Sequence, residues 1–74
     1  MQEGISMTQV LGIIGGGQLG MMLTEAAKKM KEHISDVIVL DPTKNCPAAK
    51  VGATQIVADF KDKNAIVELS LQSD

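Results

Sequence analysis

The chain contains no arginine, tryptophan or tyrosine, and phenylalanine, cysteine and histidine occur once each. Without arginine there is no planar fork to grip a phosphate bidentately, so any anion held here relies on backbone N–H donors and lysine. With almost no aromatic residues, the core must be assembled from Ile, Val, Leu, Met and Ala. Cys46 has no partner for an internal disulfide, a usage that fits a reducing cytosol. His33 has no second histidine and only that one cysteine with which to share a metal, so it reads as a solvent-exposed connector residue and no metal site is expected. A net charge of −2 provides no electrostatic footprint for nucleic acid. No apolar stretch approaches the roughly 20 residues of a membrane span, and the N-terminus lacks the layout of a signal peptide. The expectation is a cytoplasmic protein with neither a nucleic-acid nor a membrane partner.

What is present is glycine, concentrated in one place. Gly15-Gly16-Gly17-Gln18-Leu19-Gly20 follows the apolar run Val10-Leu11-Gly12-Ile13-Ile14 and opens a segment of helical periodicity. Gly15, Gly17 and Gly20 satisfy G-x-G-x-x-G in its confirming context of strand before and helix after. Such a turn brings the unpartnered N–H groups of a helix's first turn past the carboxyl end of a strand, where a phosphate fits. Gly15 supplies the tight turn, Gly17 close approach of backbone to ligand, and Gly20 close packing of helix on strand.

The rest of the chain frames that turn. Its 74 residues make one small domain, and a chain of this size buries only about 60% of its unfolded surface. Residues 10–14 form a continuous apolar run, the mark of a strand covered on both faces. From residue 19 the apolar positions Leu19, Met22, Leu23, Ala26, Ala27 and Met30 recur at helical spacing. They leave Thr24, Glu25, Lys28, Lys29 and Lys31 outside, with Met21 as an apolar exception on the polar side. Residues 36–41 read as a second buried strand ending on Asp41. Residues 42–47 are turn chemistry, followed by one helical turn after Pro47. Residues 54–59 make a third strand, and Asp62 caps a helix from Lys63 towards Gln72 whose inner face is Ala65, Ile66 and Leu69.

The expected fold is therefore α/β, a β-α-β-loop-β-α half of a Rossmann-like doubly wound parallel sheet with strands in the order 3-2-1. The next strand of such a fold pairs on the far side of the first. The expectation is a domain over residues 9–74, cut before its fourth strand, behind a disordered lead over residues 1–8. The edge left open on the first strand invites self-association or a homodimer.

Two readings of Asp41 stay open. It stands about 20 residues beyond the last glycine, where dinucleotide-binding folds place the acid that holds a ribose hydroxyl; equally, it caps the turn that follows. Cys46 has no His or Arg at a motif-like spacing and reads as an inert loop or core thiol. Gln18 puts a hydrogen-bonding amide into the turn, suited to a small polar ligand. No nucleophile, base and oxyanion set can be composed, so no catalytic residue is expected.

Ile13-Ile14-Gly15-Gly16-Gly17-Gln18-Leu19-Gly20, then Val39-Leu40-Asp41-Pro42 with Cys46-Pro47-Ala48, then Ile56-Val57-Ala58-Asp59, closely resemble the N-terminal, pre-ATP-grasp domain of the N5-carboxyaminoimidazole ribonucleotide synthetase family. These are purine-biosynthesis ligases of the ATP-grasp superfamily, and the likeness covers residues 10–74. It implies a reaction in which ATP activates bicarbonate as carboxyphosphate and the amine of 5-aminoimidazole ribonucleotide is carboxylated. It also implies that ATP and magnesium bind in following domains, with none expected on this chain, which alone is expected to be inactive. In related enzymes the residues matching Gln18 and Leu19 contact the ribonucleotide. With the turn and the strand-end acid, the candidate substrate-binding residues are Gly16, Gly17, Gln18, Leu19 and Asp41. Met21 stands where the family usually has a basic residue, and residues 31–36 replace a shorter, glycine-containing connection. The second reading is a dinucleotide (NAD or FAD) binding module of an oxidoreductase, with Asp41 on the ribose.

Overall fold

The computed structural model describes residues 8–74. Its elements are β1 (Gln9–Ile14), α1 (Gln18–Lys28), β2 (Ile34–Asp41), α2 (Pro47–Lys50), β3 (Thr54–Val57) and α3 (Lys63–Gln72). The three strands are parallel in the order β1-β2-β3, the expected 3-2-1 seen from the other edge. Apart from Thr8, the expected lead over residues 1–8 lies outside the described residues.

The central strand is β2. Every residue from Val37 to Asp41 is buried, because helices cover both faces and adjacent strands flank both edges. Val37 and Val39 point to one face, where they meet Ile13, Ala27, Cys46, Ala48 and Ala53. Ile38 and Leu40 point to the other, against Ala65 and Leu69 of α3. Strand alternation thus splits one apolar run between two cores and produces three layers. The Asp62 carboxylate accepts the Ala65 N–H at 3.1 Å, capping α3 as its sequence predicts.

The inner face of α1 departs from its apolar periodicity. Its buried residues are Gly20, Thr24 and Ala27, whereas Leu19, Met22, Leu23 and Met30 are exposed. Of the predicted stripe only Ala27 is buried, and Thr24, expected outside, is fully enclosed. The reason is proximity: small side chains let the helix axis come close to the sheet and to α2, and the bulkier residues are displaced to its flank. The Thr24 hydroxyl donates to the Gly20 carbonyl at 2.8 Å, so its burial leaves no polar atom unsatisfied.

β1 lies at the sheet edge. The backbone groups of Gln9 and Gly15 point towards β2, so by strand alternation those of Val10, Gly12 and Ile14 point away from it. On that outer side, after α3, Asp74 runs beside Val10. Its backbone N–H donates to the Val10 carbonyl at 2.9 Å, and its carboxylate accepts the Val10 N–H at 2.6 Å.

Candidate functional site

Parallel strands deliver their carboxyl ends to one rim of the sheet, and there the glycine turn links β1 to α1. Gly15 has φ of +99°, a conformation that side-chain-bearing residues rarely adopt, and its N–H donates to the Leu40 carbonyl at 2.8 Å. A Cβ on Gly20 would collide with the Gly15 carbonyl oxygen. The first turn of α1 therefore sits directly on the turn that precedes it.

Gly16 is buried and held from several sides by the segment that follows β2. Its N–H donates to the Asp41 carboxylate at 2.8 Å. Its carbonyl accepts the Ala48 N–H at 3.0 Å. A Cβ at Gly16 would strike the Cys46 sulfur and lie 3.0 Å from a Val39 methyl. Asp41, Cys46 and Ala48, three residues of the D-P-x-x-x-C-P-A pattern, thus converge on one glycine. Cys46 is a core thiol, as its surroundings in the sequence suggest, and its place is against the turn.

Asp41 faces inward. One carboxylate oxygen accepts from Gly16 and the other from the Thr43 N–H at 2.8 Å, and the residue is 9% exposed. Those N–H groups, Gly16 first and Thr43 second, hold its carboxyl below the ordinary carboxylate range against the opposing effect of burial. With one backbone N–H on each oxygen, the carboxylate has the geometry of the turn-cap reading.

Beyond Gly16 the chain opens. Gly17 is the N-cap of α1 without a side-chain cap, and nothing lies within 4 Å of where its Cβ would be. Gln18 and Leu19 are exposed. The helical ladder starts with the Met21 N–H on the Gly17 carbonyl at 2.8 Å, so the N–H groups of Gln18, Leu19 and Gly20 have no partner within the helix. No acidic side chain occupies that first turn, leaving its partial positive charge available to an anion. Met21, beside this turn, is half-buried.

One residue of this assembly has no motif to announce it. Gln55 stands in β3 opposite Val39, and its carboxamide bonds backbone groups of the loop over residues 41–46. Its oxygen accepts from Asn45 at 3.0 Å and Cys46 at 3.4 Å, while its nitrogen donates to the carbonyls of Asp41 at 3.1 Å and Thr43 at 2.7 Å. The only available signal is a long amide side chain in a short strand, between Thr54 and the apolar Ile56 and Val57. A surface hollow of about 300 Å³ between Ala27, Lys31, Ile34 and Val37 lies at the amino end of β2, the opposite rim from the glycine turn. Among the described residues no three His, Cys, Asp or Glu side chains gather as a metal-binding group, and no helix is long and apolar enough to cross a membrane.

A parallel sheet with its glycine turn at the strand ends defines the Rossmann-like class of α/β domains. Within that class, the ribonucleotide synthetase preATP-grasp domain family matches residues 7–74, and the chain belongs to it. It is 48% identical over 64 residues to the N5-carboxyaminoimidazole ribonucleotide synthase of Brucella melitensis, covering 86% of this chain and 17% of that protein. With the Bacillus subtilis protein of the same name it shares 43% over 65 residues, covering 88% of this chain and 16% of that one. The crystal structure of N5-carboxyaminoimidazole ribonucleotide synthetase from Thermotoga maritima superposes with a TM-score of 0.82 at 52% identity, over 90% of this chain and 18% of that one. The Staphylococcus aureus synthetase complexed with ADP superposes at 0.81 with 38% identity, over 95% and 18%. The chain therefore spans about one sixth of the length of these relatives. These likenesses do not favour the oxidoreductase reading.

Proposed function

We propose that this chain is the substrate-binding N-terminal portion of an ATP-dependent ligase that carboxylates 5-aminoimidazole ribonucleotide with bicarbonate in purine biosynthesis. The observation that carries the reading is the contrast across the glycine turn. Gly16 is locked at both its N–H and its carbonyl, while Gly17, Gln18 and Leu19 lie open to solvent beside unpartnered helix N–H groups. A fixed backbone next to an open helix start is suited to an anionic head group, and the phosphate of a ribonucleotide is one. The exposed Gln18 amide offers a donor and an acceptor for selecting the remainder of the ligand. In this reading Gly16 and Asp41 shape the turn from within, and Gly17, Gln18 and Leu19 face the ligand.

The residues described here hold and orient the ribonucleotide. ATP with magnesium, held outside the residues described here, would supply the activation of bicarbonate by phosphoryl transfer, with ADP leaving. The amine would then attack the carboxyl carbon of the resulting carboxyphosphate, forming the C–N bond as the bond to phosphate breaks and the amine gives up a proton. No residue of this chain is assigned a catalytic role, and alone it is expected to be inactive.

A two-dimensional amide NMR titration of the chain with 5-aminoimidazole ribonucleotide, ATP and NADH tests the proposal. Shifts centred on residues 16–19 with the ribonucleotide alone are expected. Shifts with NADH that extend to Asp41 would put the dinucleotide reading first, and silence with all three would mean that the chain by itself forms no binding site.

A further inference from the structure

We propose that Gln55 is a positioning residue for the glycine turn, acting through the loop over residues 41–46 without touching the turn itself; its bearing on ligand binding rests on the reading above. A carboxamide offers two N–H donors and an oxygen with two lone pairs. In Gln55 all four are used, and every bond ends on backbone of that one loop. The two amide N–H groups on one side and two carbonyls on the other also fix which way the carboxamide points.

The loop needs such a clamp. Asn45 sits at φ of +59°, a left-handed conformation that costs free energy for a residue with a side chain, and its N–H is one of the groups that Gln55 accepts from. The two ends of the same loop meet Gly16. Asp41 takes the Gly16 N–H, and at the other end Cys46 fills the space beside its Cα while Ala48 bonds its carbonyl. The orientation of the Gly16 peptide therefore depends on the loop's shape, and the loop's shape on one amide in β3. From Gly16 the chain passes directly to Gly17, Gln18 and Leu19, so the clamp sets where the open N–H groups point.

Neither methionine nor glutamate reproduces this. Methionine has similar length and no hydrogen bonds to offer. Glutamate keeps the acceptor but has no donor for the Asp41 and Thr43 carbonyls, which it would instead repel.

Native-state amide exchange on the 74-residue chain reads the effect directly. In Gln55→Met and Gln55→Glu, the Gly16 and Ala48 amides are expected to exchange about tenfold faster, as suits the loss of a net hydrogen bond or two from a local structure. Val39 and Leu40, in the centre of the sheet, should keep their protection. Asn45→Val reaches the same loop without altering β3 and should loosen the same two amides, even where a Gln55 variant proves too unstable to measure. Asn45→Gly, which accepts the left-handed conformation, should leave them protected. Equal acceleration at all four amides, or none at Gly16 and Ala48, overturns the assignment. A parallel titration with 5-aminoimidazole ribonucleotide should show weaker binding in the loosened variants. Silence from the wild-type chain in that titration counts against the proposed ligand alone, because the exchange comparison needs none.

Discussion

The carboxylate of Asp41 accepts the backbone N–H of Gly16 at 2.8 Å, joining two residues 25 positions apart. Through this bond the end of the central strand governs the shape of the glycine turn on its neighbour. The acid that by position resembles a ribose ligand is part of the scaffold of the turn.

Removing that acid should destabilise the chain. Asp41→Ala strands the Gly16 N–H in a buried place and is expected to cost about 1–3 kcal/mol, measured by urea denaturation. Asp41→Asn keeps one acceptor and should cost less. A loss no larger for alanine than for asparagine would show that the Gly16 bond contributes nothing measurable.

The same bond gives stability a pH dependence whose sign follows from its chemistry. Because the Asp41 carboxyl is held below its ordinary range when folded, its contribution is fully present above the unfolded value of about 3.9. It is lost as pH falls through the lower folded value. Stability of the wild type should therefore decline below about pH 4, and the decline should be shallower in Asp41→Asn. Identical slopes for the two proteins would place the acid sensitivity in other carboxylates.

Glycines in the turn should separate by what surrounds them. Gly20→Ala forces a methyl into the backbone carbonyl of Gly15 and is expected to cost about 1–3 kcal/mol. Gly17→Ala meets open space and should cost below about 1 kcal/mol as an N-cap change, while weakening ribonucleotide binding. Equal thermal destabilisation by the two would contradict the packing described.

α1 offers a direct test of which face is inside. Thr24→Val removes a satisfied buried hydroxyl and should cost on the order of 1 kcal/mol; Thr24→Lys should prevent folding. Met22→Gln and Leu23→Gln, on the exposed flank, should change stability by no more than about 0.5 kcal/mol. Were Leu23→Gln the more damaging, the apolar periodicity would be the true guide to the buried face.

Self-association through the outer edge of β1 is a further prediction for the 74-residue chain. Asp74 engages only Val10 there, and among the described residues no strand pairs with β1 on that side. The backbone groups of Gly12 and Ile14 that face outward, with Ile14 58% exposed, make an edge open to a second copy. Sedimentation should show concentration-dependent association that Ile14→Lys reduces. A monomer at high concentration with protected Gly12 and Ile14 amides would refute this.

The glycine turn and the three strands were legible because they rest on local chemistry. An unbroken apolar run such as Val37-Ile38-Val39-Leu40 has few alternatives to a doubly covered strand, and a glycine at +99° answers a backbone demand confined to a few residues. The caps at Pro47 and Asp62 are equally local. Periodicity read the face of α1 less well. It counts apolar residues, whereas burial there was governed by how closely small residues let the helix approach.

By itself, then, the sequence determined the order of the elements, the parallel α/β class, the position of the glycine turn and the family likeness, all of which depend on residues near one another in the chain. Only the tertiary structure decided that Asp41 turns inward, that Cys46 packs on Gly16, that Thr24 is buried, and that Gln55 clamps a loop ten residues away. The reason is that a hydrogen bond or a packing contact is specified by proximity in space. When the two partners come from different segments of the chain, nothing in the pattern of either segment records the meeting.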